Sequence, residues 1–418
     1  MNNVVPEGWM EEAIGRFISD SVAGEWGKEP LGDKNDIPVL RATNFSESGT
    51  IDYTKLAFRN VDEKKIQKKS LRCGEIVLEK SGGSPTQPVG RVMYFDNAKP
   101  FLYSNFTQKL VPSEECDSKY LFYKLYFEYQ NKTVLKFQQQ TTGIINFQLN
   151  EYLLYKTVFP PLPEQQKIAK ILTSVDEVIE KTQAQIGKLK DLKIGMMQEL
   201  LTNGIGHTEF KDSSVGRIPV EWEVVKVSSV ANVVDSMHQT PSFTELGKSM
   251  VRVTEIRNSE VLNIDSALNV DEKTFVSFSR NYQPAVGDIL IARVGAYFGA
   301  TAFVADNLEF CLGQNTASIR PEGIESKYLF IYLNSEVARS QMEDAVAVGA
   351  QPSLSLKAIK ELRIGLPPLG EQEKISNAIS SVSRKIELTK TKLDAIKKSK
   401  RALMQDLLTG KVRVRVEA

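Results

Sequence analysis

The side-chain types that most often carry catalysis or bind metals are scarce in this sequence. Its two histidines, His207 and His238, are far apart in the chain, and neither has the neighbouring pattern that a metal site or a catalytic triad needs. The three cysteines, Cys73, Cys116 and Cys311, are scattered and odd in number, so they predict neither a disulfide framework nor a paired metal site. We expect all three to be buried as small apolar residues.

Motifs for nucleotide and cofactor chemistry are also missing. Gly410-Lys411 lacks the upstream glycine of a phosphate-binding loop. An amino-methyltransferase would carry an (Asn/Asp)-Pro-Pro-aromatic segment, whereas residues 159–162 read FPPL and precede a predicted helix. The pair Pro321-Glu322 with residues 325–327 faintly resembles a nuclease metal motif, but its two parts are too close to span a strand hairpin. The sequence therefore predicts no catalytic residue and no metal site.

Composition is that of an ordinary globular chain with more than one domain. The 418 residues are 41% hydrophobic and 25% charged, and the formal net charge is only +1. The start of the chain has no secretory pattern, and no apolar run reaches the roughly 18 residues of a membrane helix. We therefore expect a cytoplasmic protein without membrane contact. Net charge does not decide for or against nucleic acid, because binding depends on the local placement of Lys and Arg.

The sequence contains an internal duplication. Residues 159–204 match residues 366–411 with 19 identities over 46 positions and no gap. Weaker echoes precede each copy: VPEGW and IPVEW, LRATNF and VRVTEI, CGEIVL and VGDILI, and SKYLF in both halves. The sequence therefore consists of two half-chains, each a variable region followed by a nearly constant one.

The constant regions read as long helices with a paired apolar seam. Each begins after a Pro-rich break, carries Glu164 or Glu371 in its first turn, and then repeats apolar residues at heptad spacing. Residues 370–411 also hold ten Lys and Arg against five acidic residues, which a solvated helix face would explain. The residues predicted to line the helix–helix interface are Val175, Ile179, Thr182, Ile186, Leu189, Lys193, Met196, Leu200, Val382, Ile386, Thr389, Leu393, Ile396, Lys400, Leu403 and Leu407.

Polar residues within the seam suggest a register. An antiparallel pair whose residue numbers sum to 582 would set Thr182 against Lys400 and Lys193 against Thr389, so that no apolar residue faces a lysine. Forty helical residues would span about 60 Å at about 1.5 Å per residue. That length is close to two turns of B-DNA.

The variable regions hold short β-rich runs divided by Gly, Asn and Ser turns, and each ends in a short helical stretch. The predicted fold class is α+β, with two pseudo-symmetric globular domains separated by an antiparallel coiled coil of the two long helices. The predicted boundaries are 1–158 for the first domain, 159–206 for the first helix, 207–365 for the second domain, 366–411 for the second helix and 412–418 for a basic, β-like tail.

Two unlike domains, each followed by a PPLxEQxKI helix that ends in QELLTNG or QDLLTGK, resemble the specificity subunits of type I restriction–modification systems. The resemblance implies that each variable region is a target-recognition domain reading one half of a split, asymmetric DNA site. It implies that the paired helices set the gap and dock two modification (methyltransferase) subunits, which two restriction (motor-nuclease) subunits join. It implies no cofactor for this chain, since S-adenosylmethionine, ATP and Mg²⁺ would bind the partners. The C-terminal tail is expected near the first domain.

Under this resemblance, loop residues with hydrogen-bonding or cationic side chains are the candidate contacts to double-stranded DNA. In the first domain they are Arg41, Asn44, Lys80, Ser81, Arg91, Asn105 and the run Gln138–Thr142, with Gln139, Gln140 and Thr141 at its centre. In the second domain they are Arg252, Arg257, Arg293, Tyr297, Gln314, Asn315 and Gln351. Arg41 and Arg252 hold equivalent places, which favours a structural or phosphate-binding role over base reading.

Other hypotheses remain open from the sequence alone. The chain could be an interaction scaffold, two β-rich modules on a coiled-coil rod that bind proteins or glycans and not DNA. It could also be a self-contained methyltransferase, which would require cofactor binding by the isolated chain. A specificity subunit that serves a fused cutting-and-modifying enzyme has the same sequence features as one with separate partners.

Overall fold

The computed structural model describes residues 5–46, 48–84, 86–141, 143–346 and 352–416. The chain divides into two compact units, which we call unit 1 (Met1–Gln183 with Thr391–Ala418) and unit 2 (Ala184–Lys390). Both boundaries fall inside the long helices and not between the predicted domains. Each unit therefore contains one recognition domain and one half of each long helix.

Unit 1 mixes strands with a few short helices. Its strands are β1 Met10–Ala13, β2 Ile18–Ala23, β3 Asp36–Leu40, β4 Ala57–Asn60, β5 Ile76–Glu79, β6 Ser81–Gly82, β7 Val92–Tyr94, β8 Leu102–Tyr103, β9 Thr107–Pro112, β10 Gln138–Thr141, β11 Ile144–Phe147 and β12 Lys156–Phe159. Its helices are α1 Glu63–Lys69, α2 Ser118–Gln130, α3 Leu149–Leu153 and the first part of α4, which spans Leu162–Leu200.

Unit 2 has a similar inventory. Its strands are β13 Phe210–Ser213, β14 Gly216–Pro219, β15 Glu223–Lys226, β16 Ala231–Asp235, β17 Lys248–Val251, β18 Leu268–Val270, β19 Ile289–Ala292, β20 Thr301–Phe303, β21 Phe310–Leu312, β22 Thr316–Pro321 and β23 Arg363–Leu366. Its helices are α5 Val227–Val230, α6 Glu272–Phe278, α7 Ser326–Leu333, α8 Glu336–Asp344, α9 Leu356–Glu361 and the first part of α10, which spans Leu369–Leu408.

The sheets repeat the same topology in both units. Unit 1 has an antiparallel sheet in the order β2-β9-β5-β7 and a smaller sheet β4-β3-β8, in which β3 and β8 are parallel. Unit 2 has β16-β22-β19-β20 and β18-β17-β21, with β17 and β21 parallel. The duplication read from the sequence is thus a duplication of fold, and the α+β class is confirmed.

The two long helices are continuous and antiparallel within each unit. In unit 1, Leu172 near the start of α4 shares a core with Leu407 near the end of α10. In unit 2, Leu200 near the end of α4 packs on the cluster that holds Ile375 near the start of α10. The sixteen residues predicted for the seam are all buried or half-buried. Burying this apolar stripe is what keeps such long helices folded, because helix propensity alone is weak.

The predicted pairing of Thr182 with Lys400 does not form in unit 1. The Lys400 ammonium lies 2.5 Å from the Asp176 carboxylate and 5.5 Å from the centre of the Tyr123 ring. The Thr182 hydroxyl donates to the carbonyl of Val178 on its own helix, 2.6 Å away. A polar seam residue therefore finds its partner in its own helical turn or through the reach of a long side chain, and Thr182 and Lys400 do not pair.

Unit 2 departs from the prediction in the same way. The Lys193 ammonium pairs with Glu260 of the recognition domain at 3.2 Å. The Thr389 hydroxyl donates to the carbonyl of Lys385, 2.6 Å away. The two seam lysines thus differ, because Lys400 bridges the two helices through Asp176 of α4, whereas Lys193 joins its helix to the recognition domain.

The repeated sequence motifs meet where each recognition domain joins its helices. In unit 1 the carboxylate of Glu164 is almost fully buried and accepts hydrogen bonds from the Trp9 indole at 3.1 Å and from the Arg413 guanidinium at 2.8 Å. Gln165 accepts from the backbone NH of Asp117 and donates to the carbonyl of Pro160. Asp117 in turn caps helix α2.

Unit 2 contains the same network with one substitution. Glu371 accepts from the Trp222 indole at 3.1 Å and contacts the His207 ring at 3.0 Å. Gln372 accepts from the backbone NH of Glu325, whose side chain caps helix α7. The PPLxEQ and tryptophan motifs are therefore docking elements that fix a domain to its helices.

Two minor expectations are corrected. Cys116 and Cys311 are buried as expected, but Cys73 is exposed. The C-terminal tail forms no strand in its described part, residues 411–416. It does contact the first domain as expected, because Arg413 binds Glu164 and donates to the carbonyl of Glu7 at 2.6 Å.

Candidate nucleic-acid interface

One exposed turn occupies the same position in both units and carries different side chains. The turns are Ser104-Asn105-Phe106-Thr107 and Gly313-Gln314-Asn315-Thr316, each directly before the strand at the second position of its four-stranded sheet. The two threonines are fully buried, and each hydroxyl donates to the carbonyl three residues earlier at 2.7 Å. The scaffold of the turn is therefore the same in both units, while its tip differs.

In unit 1 the structure brings this turn together with Lys80 and Ser81. The backbone NH groups of both residues donate to the carbonyl of Phe106, at 2.9 and 3.2 Å. Asn105 and Phe106 are exposed. The Lys80 side chain has no hydrogen bond or ion pair within the described residues. A cation, an amide and a ring are thus presented side by side, which suits contacts to phosphate and to base edges.

A polar row crosses the neighbouring three-stranded sheet. Ser81 of β6 pairs with Asn146 of β11, which pairs with Gln139 of β10. The Ser81 hydroxyl donates to the Asn146 side chain at 2.8 Å. Gln139 and Gln140 are exposed. Paired residues on adjacent strands point to the same face, so this row presents hydrogen-bonding groups along a ribbon that a DNA groove can accept.

In unit 2 the turn borders a shallow pocket of about 220 Å³, which Gln314 and Asn315 line together with Gln239, Thr240 and Arg252. The Thr240 hydroxyl donates to the side-chain oxygen of Gln314 at 2.7 Å. That bond fixes the amide orientation and leaves its NH₂ group to donate to a ligand. Asn315 has φ of +65°, a left-handed conformation that asparagine tolerates better than most residues. The Gln314 amide is thus an oriented donor suited to the acceptors of a purine edge.

Three predicted contacts in unit 1 are used inside the protein. Asn44 is 1% exposed, and its amide donates to the carbonyls of Asp52 and Lys55. Arg41 donates to the same Lys55 carbonyl at 3.1 Å. Both side chains therefore belong to the framework of their own loop, as the equivalence of Arg41 with Arg252 favoured for Arg41.

Arg91 is the third. Its guanidinium binds the buried carboxylate of Glu79 through two hydrogen bonds, 2.7 and 3.1 Å long. It also donates to the carbonyl of Ala42 at 3.0 Å. Releasing Arg91 to bind a phosphate would leave Glu79 charged and buried, so we withdraw Arg91 from the DNA-contacting set.

Two predicted arginines of unit 2 are likewise internal. Arg252 binds the buried Glu255 at 2.9 Å. Arg293 binds Asp235 at 2.5 Å and the carbonyl of Leu354 at 3.0 Å, and its side chain is only 13% exposed. Both arginines brace loops. Their loops can still approach DNA, but these guanidinium groups are already committed.

The remaining predicted residues differ in what the structure says of them. Tyr297 is 45% exposed and ends a short 3₁₀ helix, Gly295–Tyr297. Arg257 is exposed, and among the described residues its guanidinium donates only through Nε, to the carbonyl of Thr254. Gln351 lies outside the described residues, and so does the side chain of Thr141.

Sequence reasoning missed residues that the fold brings to these surfaces. Asn146 interrupts an otherwise apolar strand, a signal that could have marked it. Gln239 and Thr240 follow His238 in a polar turn, but nothing in the local sequence connects that turn to Gln314, some seventy residues later. Phe106 is apolar, so a choice of loop residues with hydrogen-bonding or cationic side chains does not select it.

The described residues show neither a candidate metal centre nor a candidate membrane span. No group of three or more His, Cys, Asp or Glu side chains within them is placed to hold a metal ion. No helix among them is long and apolar enough to cross a membrane.

Comparison with known proteins agrees with this arrangement. The family model described as "Type I restriction modification DNA specificity domain" matches the chain twice, at residues 6–190 and 219–398. The chain is 28% identical over 431 aligned positions to the putative type I restriction enzyme MjaX specificity subunit of Methanocaldococcus jannaschii, covering 98% of this chain and 95% of that protein. It is 22% identical to the EcoKI specificity subunit of Escherichia coli K12, covering 90% and 82%.

Solved structures share the fold. The S subunit of a type I restriction-modification system from M. genitalium aligns over 97% of both chains, with a TM-score of 0.58 and 15% identity. A chain from a study of complex assembly and conformational transition of the type I R-M system aligns over 98% of this chain and all of that one, with a TM-score of 0.57 and 16% identity.

Proposed function

Because the chain belongs to the family of type I restriction modification DNA specificity domains, we propose that it is the specificity subunit of a type I restriction–modification complex. It reads DNA and catalyses no reaction itself. Each unit reads one half of a bipartite, asymmetric site. The observation that carries this proposal is the exposed turn found twice, with Asn105-Phe106 in one unit and Gln314-Asn315 in the other. Equal scaffolds with unequal tips are what two different half-sites require.

The paired helices set the unspecified gap between the half-sites and dock partner subunits. In support, α4 and α10 are each continuous, and each contributes to both units. Flexible linkers would not hold a fixed spacing, whereas a packed pair of helices does.

The partners in this proposal are double-stranded DNA, two modification subunits and two restriction subunits. S-adenosylmethionine, ATP and Mg²⁺ would bind those partner subunits, and the complex would work in the cytoplasm. The proposal is supported by the names of the similar proteins, which are specificity subunits.

Mapping methylated adenines across the host genome, with and without this gene, tests the proposal. We expect one bipartite motif to lose its methylation when the gene is deleted and to regain it when the gene is restored. As a control, restoration with a frame-shifted copy should not return the motif. A methylation map that is the same in all strains would contradict the proposed function.

A further inference from the structure

A basic groove of about 880 Å³ lies within unit 2, between the recognition domain and the two helix segments. One wall is formed by Lys190 and Lys193 of α4 and by residues 380–390 of α10. The other wall is formed by the loop at residues 257–261 and by Lys327 of α7. The groove is distinct from the turn at Gln314, which lines a separate pocket.

Cationic side chains outnumber acidic ones along this groove. Lys190, Lys193, Arg257, Lys327, Arg384 and Lys390 line it, against Glu260 and Glu387. Lys193 pairs with Glu260 at 3.2 Å, and Lys390 pairs with Glu387 at 2.6 Å. The exposed side chains of Lys190, Lys327 and Arg384 form no ion pair within the part of the chain that the structure describes. An uncompensated positive potential in a concave site attracts an acidic ligand.

In unit 1 the lysine at the equivalent position of the repeat is neutralised by an acid of the protein itself. Lys400 of unit 1 is the repeat equivalent of Lys193, and it is 9% exposed and bound to Asp176 at 2.5 Å. Asp176-Glu177 of unit 1 correspond to Ser383-Arg384 of unit 2. At these two positions unit 1 carries two acids, whereas unit 2 carries a hydroxyl and a cation. Unit 2 therefore has no acid at the helix positions that neutralise Lys400 in unit 1, and its Lys193 pairs instead with Glu260 of the loop.

The floor of the groove is apolar. Phe303, Phe330 and Ile386 lie beneath it, each 4–6% exposed, and Val261 is 54% exposed at its edge. A cationic rim over an apolar floor suits a segment that carries both carboxylates and apolar side chains, such as an amphipathic helix. A phosphate backbone would use the cationic rim but would gain nothing from the apolar floor.

We propose that this groove of unit 2 binds an acidic amphipathic segment of a partner protein. The inference rests on the proposed function, because the partner it identifies is the modification subunit of the same complex. It goes further by giving the chemistry of the docking segment and by assigning it to unit 2.

Two matched double variants of the full-length chain test the proposal. Lys190→Glu with Arg384→Glu reverses two unpaired cations of the groove. Lys188→Glu with Lys385→Glu reverses two exposed cations on the same helices that do not line it. Both doubles change the net charge equally, so non-specific electrostatic effects cancel in the comparison. A neutral pair, Lys190→Gln with Arg384→Gln, serves if the charge reversal disturbs folding.

Binding is measured to the co-expressed modification subunit and to a fluorescent fifteen-residue peptide of Glu and Leu with one apolar helical face. We expect the groove variant to weaken both interactions about tenfold at 0.15 M salt and the control variant to weaken them less than twofold. Equal behaviour of the two variants would overturn the proposal. So would a groove variant that keeps the modification subunit but loses duplex DNA, because the groove would then serve DNA. Failure of the proposed function is recognised separately, by a wild-type complex that methylates no specific motif.

Discussion

Replacing Gln314 with alanine tests the reading turn most directly. The side chain is exposed, and its one hydrogen bond to the described part of the chain is accepted from the Thr240 hydroxyl at 2.7 Å. We therefore expect the free energy of unfolding to change by less than about 0.5 kcal/mol. A good base contact of this kind is worth about 1–3 kcal/mol of discrimination, which corresponds to about 5- to 150-fold in relative rate.

The assay uses the reconstituted complex with its modification subunits. Initial methylation rates are compared on duplexes altered one base pair at a time throughout both half-sites. Gln314→Ala is expected to relax the preference at one base pair of one half-site and to leave the other half-site unchanged. Asn105→Ala in the equivalent turn is expected to relax a position in the opposite half-site. Gln185→Ala, an exposed position on α4, is the control and should change neither.

The pattern of the result matters more than its size. A loss that is the same for every duplex would mean that Gln314 holds phosphate and does not read a base. A loss distributed over both half-sites would mean that the two turns do not serve separate halves. Either result would refute the reasoning from the paired turns.

Four further outcomes are expected. Burial raises the pKa of Cys116 to about 12 and that of Cys311 to about 11, so at pH 8 their thiolate fractions are about one in ten thousand and about one in a thousand. A thiol reagent should therefore modify only the exposed Cys73 rapidly. Rapid reaction of a second thiol would contradict this prediction. Glu371→Ala removes the acceptor of the Trp222 indole and of the backbone NH of Ile205, at a cost of about 3 kcal/mol. Hydrogen exchange at the Ile205 amide should then accelerate, while the Trp9 indole NH, which donates to Glu164, stays protected. Burial lowers the pKa of the Lys124 ammonium below its ordinary value of 10.5, so the unfolded chain holds that proton to higher pH than the folded chain does. The stability of the wild type relative to Lys124→Met should therefore rise as pH approaches 10.5. Urea midpoints of the two proteins that differ by a constant amount from pH 8 upward would contradict this prediction. Insertion of seven residues at equivalent points of both long helices adds about 10 Å to their length, and the gap in the methylated motif should become about three base pairs longer. An unchanged gap would mean that the helices do not set the spacing between the half-sites.

The long helices and the duplicated fold were predictable because the sequence shows both as repeating patterns. The heptad spacing in residues 162–200 and 369–408 required helices with one buried face, and every predicted seam residue is at least half-buried. The duplication predicted that the two halves share a fold, and the four-stranded sheet and the smaller mixed sheet have the same strand order in both units, whereas β10-β11-β6 and β13-β14 are each found in one unit of the described residues. Heptad periodicity and internal repetition can both be detected in the sequence itself, so no three-dimensional structure is needed to find them.

What could not be predicted depends on partners distant in sequence. The register argument treated Lys400 as a residue that faces Thr182, but its ammonium instead pairs with Asp176 of α4 and lies near the Tyr123 ring of the recognition domain. Arg91 was chosen because it lies near a turn, yet Glu79 on the adjacent strand holds it. A sequence states that a side chain is charged, but only the fold decides whether its counter-ion comes from the protein or from a ligand.

The two units also differ in when they can form during synthesis. Unit 2 is one uninterrupted stretch, Ala184–Lys390, whereas unit 1 needs the last twenty-eight residues, Thr391–Ala418, to complete its core and to bring Arg413 to Glu164. During synthesis all residues of unit 2 are therefore available before those that complete unit 1. A chain that stops before residue 391 would leave Ile168 and Leu172 without the apolar cover of Leu407 and Leu408. Such a chain is expected to fold the second recognition domain without the first, and so to display only one of the two DNA-reading surfaces.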